Sequence, residues 1–275
     1  MARINACPDT QHIFGEKWGT LESLRNERWR QGTGHPCTGD FERRDTTRMI
    51  AIVAALEREV RGLIKGWRVS KRKSGEQEFR FFENGEIVVV CGVIGFEAAR
   101  RAAEAATALY APEVIYSAGF AGALEPALKI GDVLRPARVV NAGDSSNVAL
   151  NGGQDVLVTF TSIASPAQKK NLRDAYAAQA VDMEAAAVAR AAEARGIKFG
   201  VIKVISDEFD FVFPSMERFV SPRGEFSDWR FARFAAWRPW LWPRVVQLMR
   251  NSARASRVLC EALGRIAAEK IGAEQ

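Results

Sequence analysis

From Met49 onward the chain alternates short, mainly apolar runs, several of them unbroken, with stretches of helical period, and few folds accept that pattern. The runs are Ile50–Ala54, 79–83, Ile87–Cys91, 114–118, 133–140, 156–161 and 199–206. "IAIVA" and "IVVVC" show no polar alternation, so both faces of such strands must be covered. Helical stretches lie between several of them. "FEAARRAAEAATALY" places Phe96, Ala99, Ala103, Ala106 and Tyr110 at helical spacing and ends before Pro112. "DMEAAAVARAAEAR" ends at Gly196, as helices often do. A last long helix is expected over 244–270, with Val245, Leu248, Leu259, Leu263 and Ile266 as its buried stripe. Strands covered by helices on both faces make an α/β fold, in which ligands bind beyond the strand ends.

Residues 1–48 lack any sustained period. They read as a flexible N-terminal extension to a domain covering 49–275, with Met49 itself a candidate start. A chain of 275 residues that is 47% hydrophobic suffices for one large domain with an appendage. Both histidines, His12 and His35, fall in the extension, which removes Ser-His-Asp, Cys-His and histidine–metal chemistry from the main domain. Cys7, Cys37, Cys91 and Cys260 are far apart and form no zinc-like spacing; Cys91 and Cys260 are expected as buried thiols in a reducing cytoplasm. No metal and no cofactor are expected. No apolar stretch reaches the roughly 18 residues of a spanning helix, and no signal-peptide core is present. The net charge of +6 is scattered in short runs that suit solvated faces, and no nucleic-acid partner is expected.

Three acidic residues stand where apolar segments end. Glu59 lies one turn into a helix after the first strand, Glu184 opens an alanine-rich helix, and Asp207 ends the strand "VIKVIS". Each alone could serve a helix dipole or cap a turn. Their repeated placement at strand ends points to a site.

Four stretches, in order, carry a resemblance: "IAIVAALEREV" (50–60), "SAGFAGALEPALKIGDVL" (117–134), "VDMEAAAVA" (181–189) and "VIKVISDE" (201–208). Through them the chain resembles the nucleoside phosphorylase and nucleosidase superfamily, most of all its 5′-methylthioadenosine/S-adenosylhomocysteine nucleosidases. The resemblance implies a three-layer α/β/α sandwich around a central mixed, partly closed sheet, and a homo-oligomer, expected as a dimer. It implies that Glu59 helps activate the attacking water and that Met183 and Glu184 hold the ribose. It further implies that Asp207, preceded by Ser206, engages N7 of the base, with Gly119 and Phe120 in the substrate-binding glycine-rich stretch. Such carboxylates fit the chemistry, because N-glycosidic cleavage builds positive charge on the ribose and the departing purine needs a proton. Asp182 is expected to cap or to lie outside the site. Asp207 also favours adenine, since a carboxyl can bond both N7 and the 6-amino group.

The chain departs from the pattern in two places. The phosphorylases' phosphate-binding arginine and serine fall at Ser117 and Phe120, which favours water over phosphate; Arg58, Arg61 or the amides near Gly95 are the available substitutes. The family's adenine-stacking phenylalanine falls near Thr161 or Ser162. The expected reaction is therefore hydrolytic release of adenine from a 5′-substituted adenine nucleoside. A phosphorylase, or the hopanoid-associated branch that removes adenine from adenosylhopane, is the alternative. A catalytically idle nucleoside- or membrane-binding module is a third. Residues 226–250, with Trp229, Trp237, Trp240 and Trp242 among arginines, read either as a lid bent at Pro239 and Pro243 or as a peripheral membrane contact.

Overall fold

The structure, a computed structural model, describes residues 49–213, 217–219, 221 and 226–272. The expected extension, 1–48, lies outside the described residues. All described residues fall within one compact unit, 45–275.

Eleven strands form one mixed sheet in the order β2-β3-β4-β1-β5-β10-β9-β7-β8, with β11 paired to β5 and β6 paired to β11. The central strands are β1 (Ile50–Ala54), β4 (Ile87–Cys91), β5 (Val114–Ala123) and β11 (Lys198–Asp207). They run parallel: β1 to β4 and to β5, and β5 to β11. Every residue of β1 is buried, as its unbroken apolar sequence requires. Ala51 and Val53 face one core with Val88, Val90 and Ile115; Ile50 and Ile52 face the other with Val89, Ile202 and Val204. The first core is closed by the alanine-rich helices α2 (Phe96–Tyr110) and α4 (Ala185–Glu193), the second by α1 (Glu57–Ile64) and α6 (Trp242–Gly272). Helix, sheet and helix thus form the three-layer sandwich.

The ladder branches at β5. Its first half pairs with β1 and its last two residues pair antiparallel with β10 (Ala180–Asp182), while β11 runs along its other edge. Beyond β10 lie β9 (Asp155–Thr159), β7 (Pro136–Asn141) and β8 (Asn147–Ala149), covered in part by α3 (Pro166–Tyr176). The sheet does not close: β2 (Arg68–Ser74) and β8 end the ladder without meeting.

Three strands have no counterpart in the apolar runs. β2 is an edge strand, RVSKRKS, with no buried face; it joins β3 (Gln77–Asn84) through a turn in which Gly75 takes φ 60°. Its lysines and arginines suit an edge that must not pair further. β8 and β10 have three residues each. The 133–140 run splits into β6 (Val133–Leu134) and β7 at Arg135. α6 begins at Trp242, and of its expected stripe Leu259 and Leu263 are buried whereas Val245, Leu248 and Ile266 are half-buried. Cys91 and Cys260 are half-buried rather than buried.

Candidate active site

Loops at the ends of β1, β4, β9, β10 and β11 enclose a cavity of about 450 Å³. Glu59, Met183, Glu184, Ser206, Asp207 and Phe120 all line it. Gly119 does not, but it shapes the wall: a Cβ there would come within 2.8 Å of Glu59 Oε2, and its φ of 147° suits glycine. Gly122 plays the same part for Asp207, whose Oδ2 would lie 2.7 Å from an added Cβ. Glu59 and Asp207 therefore nest against one strand at positions three residues apart, about 10 Å along an extended chain. A bulge in β11 between Ile205 and Asp207 breaks the alternation of that strand, and both Ser206 and Asp207 reach the cavity.

At one end of the cavity stand Glu59 and Glu184. Glu59 occupies the first turn of α1, where its Oε2 accepts from the Leu56 N–H at 3.4 Å. Its carboxyl is pushed up to about 8, chiefly by burial and then by the negative charge of Glu184. Glu184 is the N-cap of α4, not part of the helix, and its Oε1 accepts from the Gly95 N–H at 2.9 Å. Burial raises its pKa too, against the pull of Lys203. Asp182 caps α4: its Oδ2 accepts from the N–H groups of Glu184 (3.3 Å) and Ala185 (2.8 Å), and its Oδ1 accepts from Thr159 Oγ1 at 2.7 Å. Under these acids lies Lys203, only 1% exposed, with Nζ 2.8 Å from Asp182 Oδ2 and 3.8 Å from Glu184 Oε2. Burial draws its pKa down, but Asp182 and Glu184 outweigh burial and hold it above the ordinary value. One ammonium thus faces three carboxyls.

At the other end Asp207 is bracketed by donors. Ser206 Oγ donates to Oδ1 at 2.9 Å, and Lys169 Nζ lies 2.5 Å from Oδ2 and donates to the Glu208 carbonyl at 2.7 Å. Lys169 is 1% exposed and lines the cavity. α3 delivers it: Ser165 caps the helix, exchanging hydrogen bonds with Gln168, and Lys169 follows on the face shared with buried Leu172. Lys169 and Lys203 are the two site residues that the motifs did not reveal. The signals were present. A lysine inside "VIKVIS", a strand buried on both faces, needs a partner, and Leu172 three residues on places Lys169, not Lys170, on the inward face.

Thr161 and Ser162 line the cavity between β9 and α3, and Phe213, Phe226 and Leu248 give it an apolar side, beside Ser252. Arg58 also lines it, with its guanidinium 5.2 Å from the Phe226 ring centroid. Arg61 is exposed and Ser117 is fully buried behind the wall. Among the described residues no group of acidic, histidine or cysteine side chains could hold a metal ion.

An α/β/α sandwich with buried acids at the ends of parallel strands around a nucleoside-sized cavity is the arrangement of a nucleoside phosphorylase- or nucleosidase-type enzyme. The chain belongs to the phosphorylase superfamily, whose family model matches residues 49–163 and 157–220. No curated protein matches it. Solved structures similar to it include 5′-methylthioadenosine/S-adenosyl homocysteine nucleosidase of Helicobacter pylori, at 18% identity and TM-score 0.61 over 81% of this chain and 99% of that one. Futalosine hydrolase of the same organism, strain 26695, is similar at 18% identity and TM-score 0.56, over 80% and 98%. S-adenosylhomocysteine nucleosidase from Streptococcus pyogenes is similar at 22% identity and TM-score 0.50, over 59% and 86%. At these identities the likeness is one of fold.

Proposed function

We propose that the protein hydrolyses the N-glycosidic bond of a 5′-substituted adenine nucleoside and releases adenine. The observation that carries this reading is the pairing of two unlike acidic ends across one cavity, set by Gly119 and Gly122 on β5. The base lies at the Asp207 end. Asp207 accepts the 6-amino hydrogen bond and relays to N7 a proton drawn from the Lys169 ammonium, 2.5 Å away, which is left as the neutral amine. The ribose lies over Met183 with Glu184 at its hydroxyls, where a carboxylate stabilises the cationic sugar as the bond breaks. Glu59, whose proton leaves near pH 8, takes a proton from the attacking water. A general base with a pKa near the working pH combines availability with driving force.

Water is favoured over phosphate by the charge at the Glu59 end. Three carboxyls stand against the single ammonium of Lys203, and the Gly95 N–H is already taken by Glu184. An anion there would meet acidic side chains in place of a cationic fork and, above about pH 8 where Glu59 is ionised, a like-charged wall. The phosphorylase reading keeps one support, the guanidinium of Arg58 at the cavity wall. The apolar side formed by Phe213, Phe226 and Leu248 suits an uncharged 5′ substituent.

The substrate class is tested by following base release from methylthioadenosine, S-adenosylhomocysteine, adenosine and inosine under one set of conditions. Faster turnover of the adenine nucleosides with apolar 5′ groups is expected. Preference for inosine would move the reading to 6-oxopurine nucleosides.

A further inference from the structure

The segment that follows the cavity has a surface that the reaction does not use. Helix α5 (Asp228–Ala236), a single turn at Pro239–Leu241 and the start of α6 expose Trp229, Trp237, Trp240 and Trp242, with Trp237 79% and Trp240 69% accessible. The first nine residues of α6 include none that is buried. Trp242, Val246 and Met249 recur there at helical spacing, and all three are exposed. A shallow groove lies against this stripe, lined by Pro239, Trp242, Val246 and Arg250 among others. Isolated exposed apolar residues need no explanation, but four tryptophans and an apolar helical stripe on one segment do.

The charge of the segment narrows what can cover it. From Phe226 to Cys260 the chain carries seven arginines, Arg230, Arg233, Arg238, Arg244, Arg250, Arg254 and Arg257, against the single acid Asp228. Arg230, Arg233, Arg244 and Arg250 are exposed among the tryptophans, and Arg233 stacks on Trp229. A two-fold contact with a second copy would bring this patch against itself and set arginine against arginine. Tryptophan, by contrast, partitions to the headgroup level of a bilayer, where arginine meets anionic lipid. No helix among the described residues is long and apolar enough to cross a membrane, so the contact would lie in the interface.

We infer that the face formed by α5, the Pro239–Leu241 turn and the first turns of α6 docks the enzyme on an anionic lipid surface. The lining of the cavity by Phe226, Leu248 and Ser252, from the same segment, puts its apolar side next to that face. Docking is independent of which nucleoside is cleaved, and it is tested without turnover.

The full-length protein is floated with vesicles of phosphatidylcholine alone and with vesicles holding about a third phosphatidylglycerol, and its mass in solution is measured alongside. Binding to the anionic vesicles only is expected, and raising the salt to about 0.5 M should weaken it, because the Debye length then falls well below its value at about 0.15 M. Arg244→Gln with Arg250→Gln should weaken binding by about fivefold for each charge removed. Trp237→Ala with Trp240→Ala should release the protein from the vesicles while adenine release from a soluble substrate stays at the wild-type rate, since neither side chain lines the cavity. Absence of the protein from the anionic lipid fraction overturns the inference. So does a fall in solution mass on the tryptophan replacement with no change in flotation, which would assign the face to a second copy.

Discussion

A carboxyl that keeps its proton to about pH 8 cannot act as a base below that pH, and Glu59 is such a group. The free-enzyme profile, kcat/KM against pH, should therefore rise by about tenfold per unit below 8 and level off above it. Glu59→Gln should remove that step and lower the plateau by roughly 10²-fold. A flat profile between about pH 6 and 9 would detach Glu59 from the chemistry. The same shift has a consequence for stability. The folded state holds a proton that the unfolded chain releases above about 4.5. This contribution is complete below 4.5 and is lost as pH rises through about 8. The Tm of the wild type should consequently drop more between about pH 5 and 9 than that of Glu59→Gln. At the opposite end, Asp207→Asn should slow adenine release at least about tenfold, and Glu184→Gln at least as much. Lys169→Met leaves a buried carboxylate with one partner fewer, a change of the kind that costs about 3–5 kcal/mol. Lys169→Arg separates the roles: if the lysine only holds Asp207, kcat returns with the charge, whereas a proton donor should leave kcat low and its pH profile altered. The three acids were legible because strand ends advertise polar residues. The two lysines gave weaker signals, a charge inside a strand covered on both faces and a charge on the helix face of Leu172, which no motif singled out.

At the scale of elements, β5 fixes the distance between the two ends of the site. Gly122→Ala would set a methyl group 2.7 Å from Asp207 Oδ2 and 3.3 Å from Lys169 Nζ. The fold should survive, because β5 is paired on both edges, but kcat should fall by about tenfold or more as Asp207 is displaced. Gly119→Ala should do more harm, combining a 2.8 Å approach to Glu59 Oε2 with a backbone at φ 147°. A wild-type rate for both variants would mean that the wall is loose and the spacing immaterial. The central strands could be read from sequence because burial on both faces makes them continuously apolar. β2 escaped notice because neither of its faces is buried, and β10 because three residues are too few to show a period. Pro239 and Pro243 foretold the break between α5 and α6, and the structure puts a single turn there. It could not be read from periodicity that α6 would turn Leu248 and Ser252 toward the cavity while Val246 and Met249 stay exposed.

For the whole molecule, the domain that carries the site is the compact unit that includes every described residue. We propose that 1–48 is dispensable: its removal should leave Tm and turnover nearly unchanged, and a large loss of Tm would show that it packs on the domain. The fold class followed from the strand pattern alone, whereas the roles of the acids needed the four ordered stretches and then the cavity that unites them. The central claim is hydrolysis at a site with acid at both ends, and it is tested most directly by product analysis. Methylthioadenosine is incubated with the enzyme in phosphate-free buffer, and base and sugar are separated and quantified. Adenine and free methylthioribose in equal amounts are predicted, with no acceleration when phosphate is added. Release of adenine only in the presence of phosphate, with a ribosyl 1-phosphate as the second product, would contradict it.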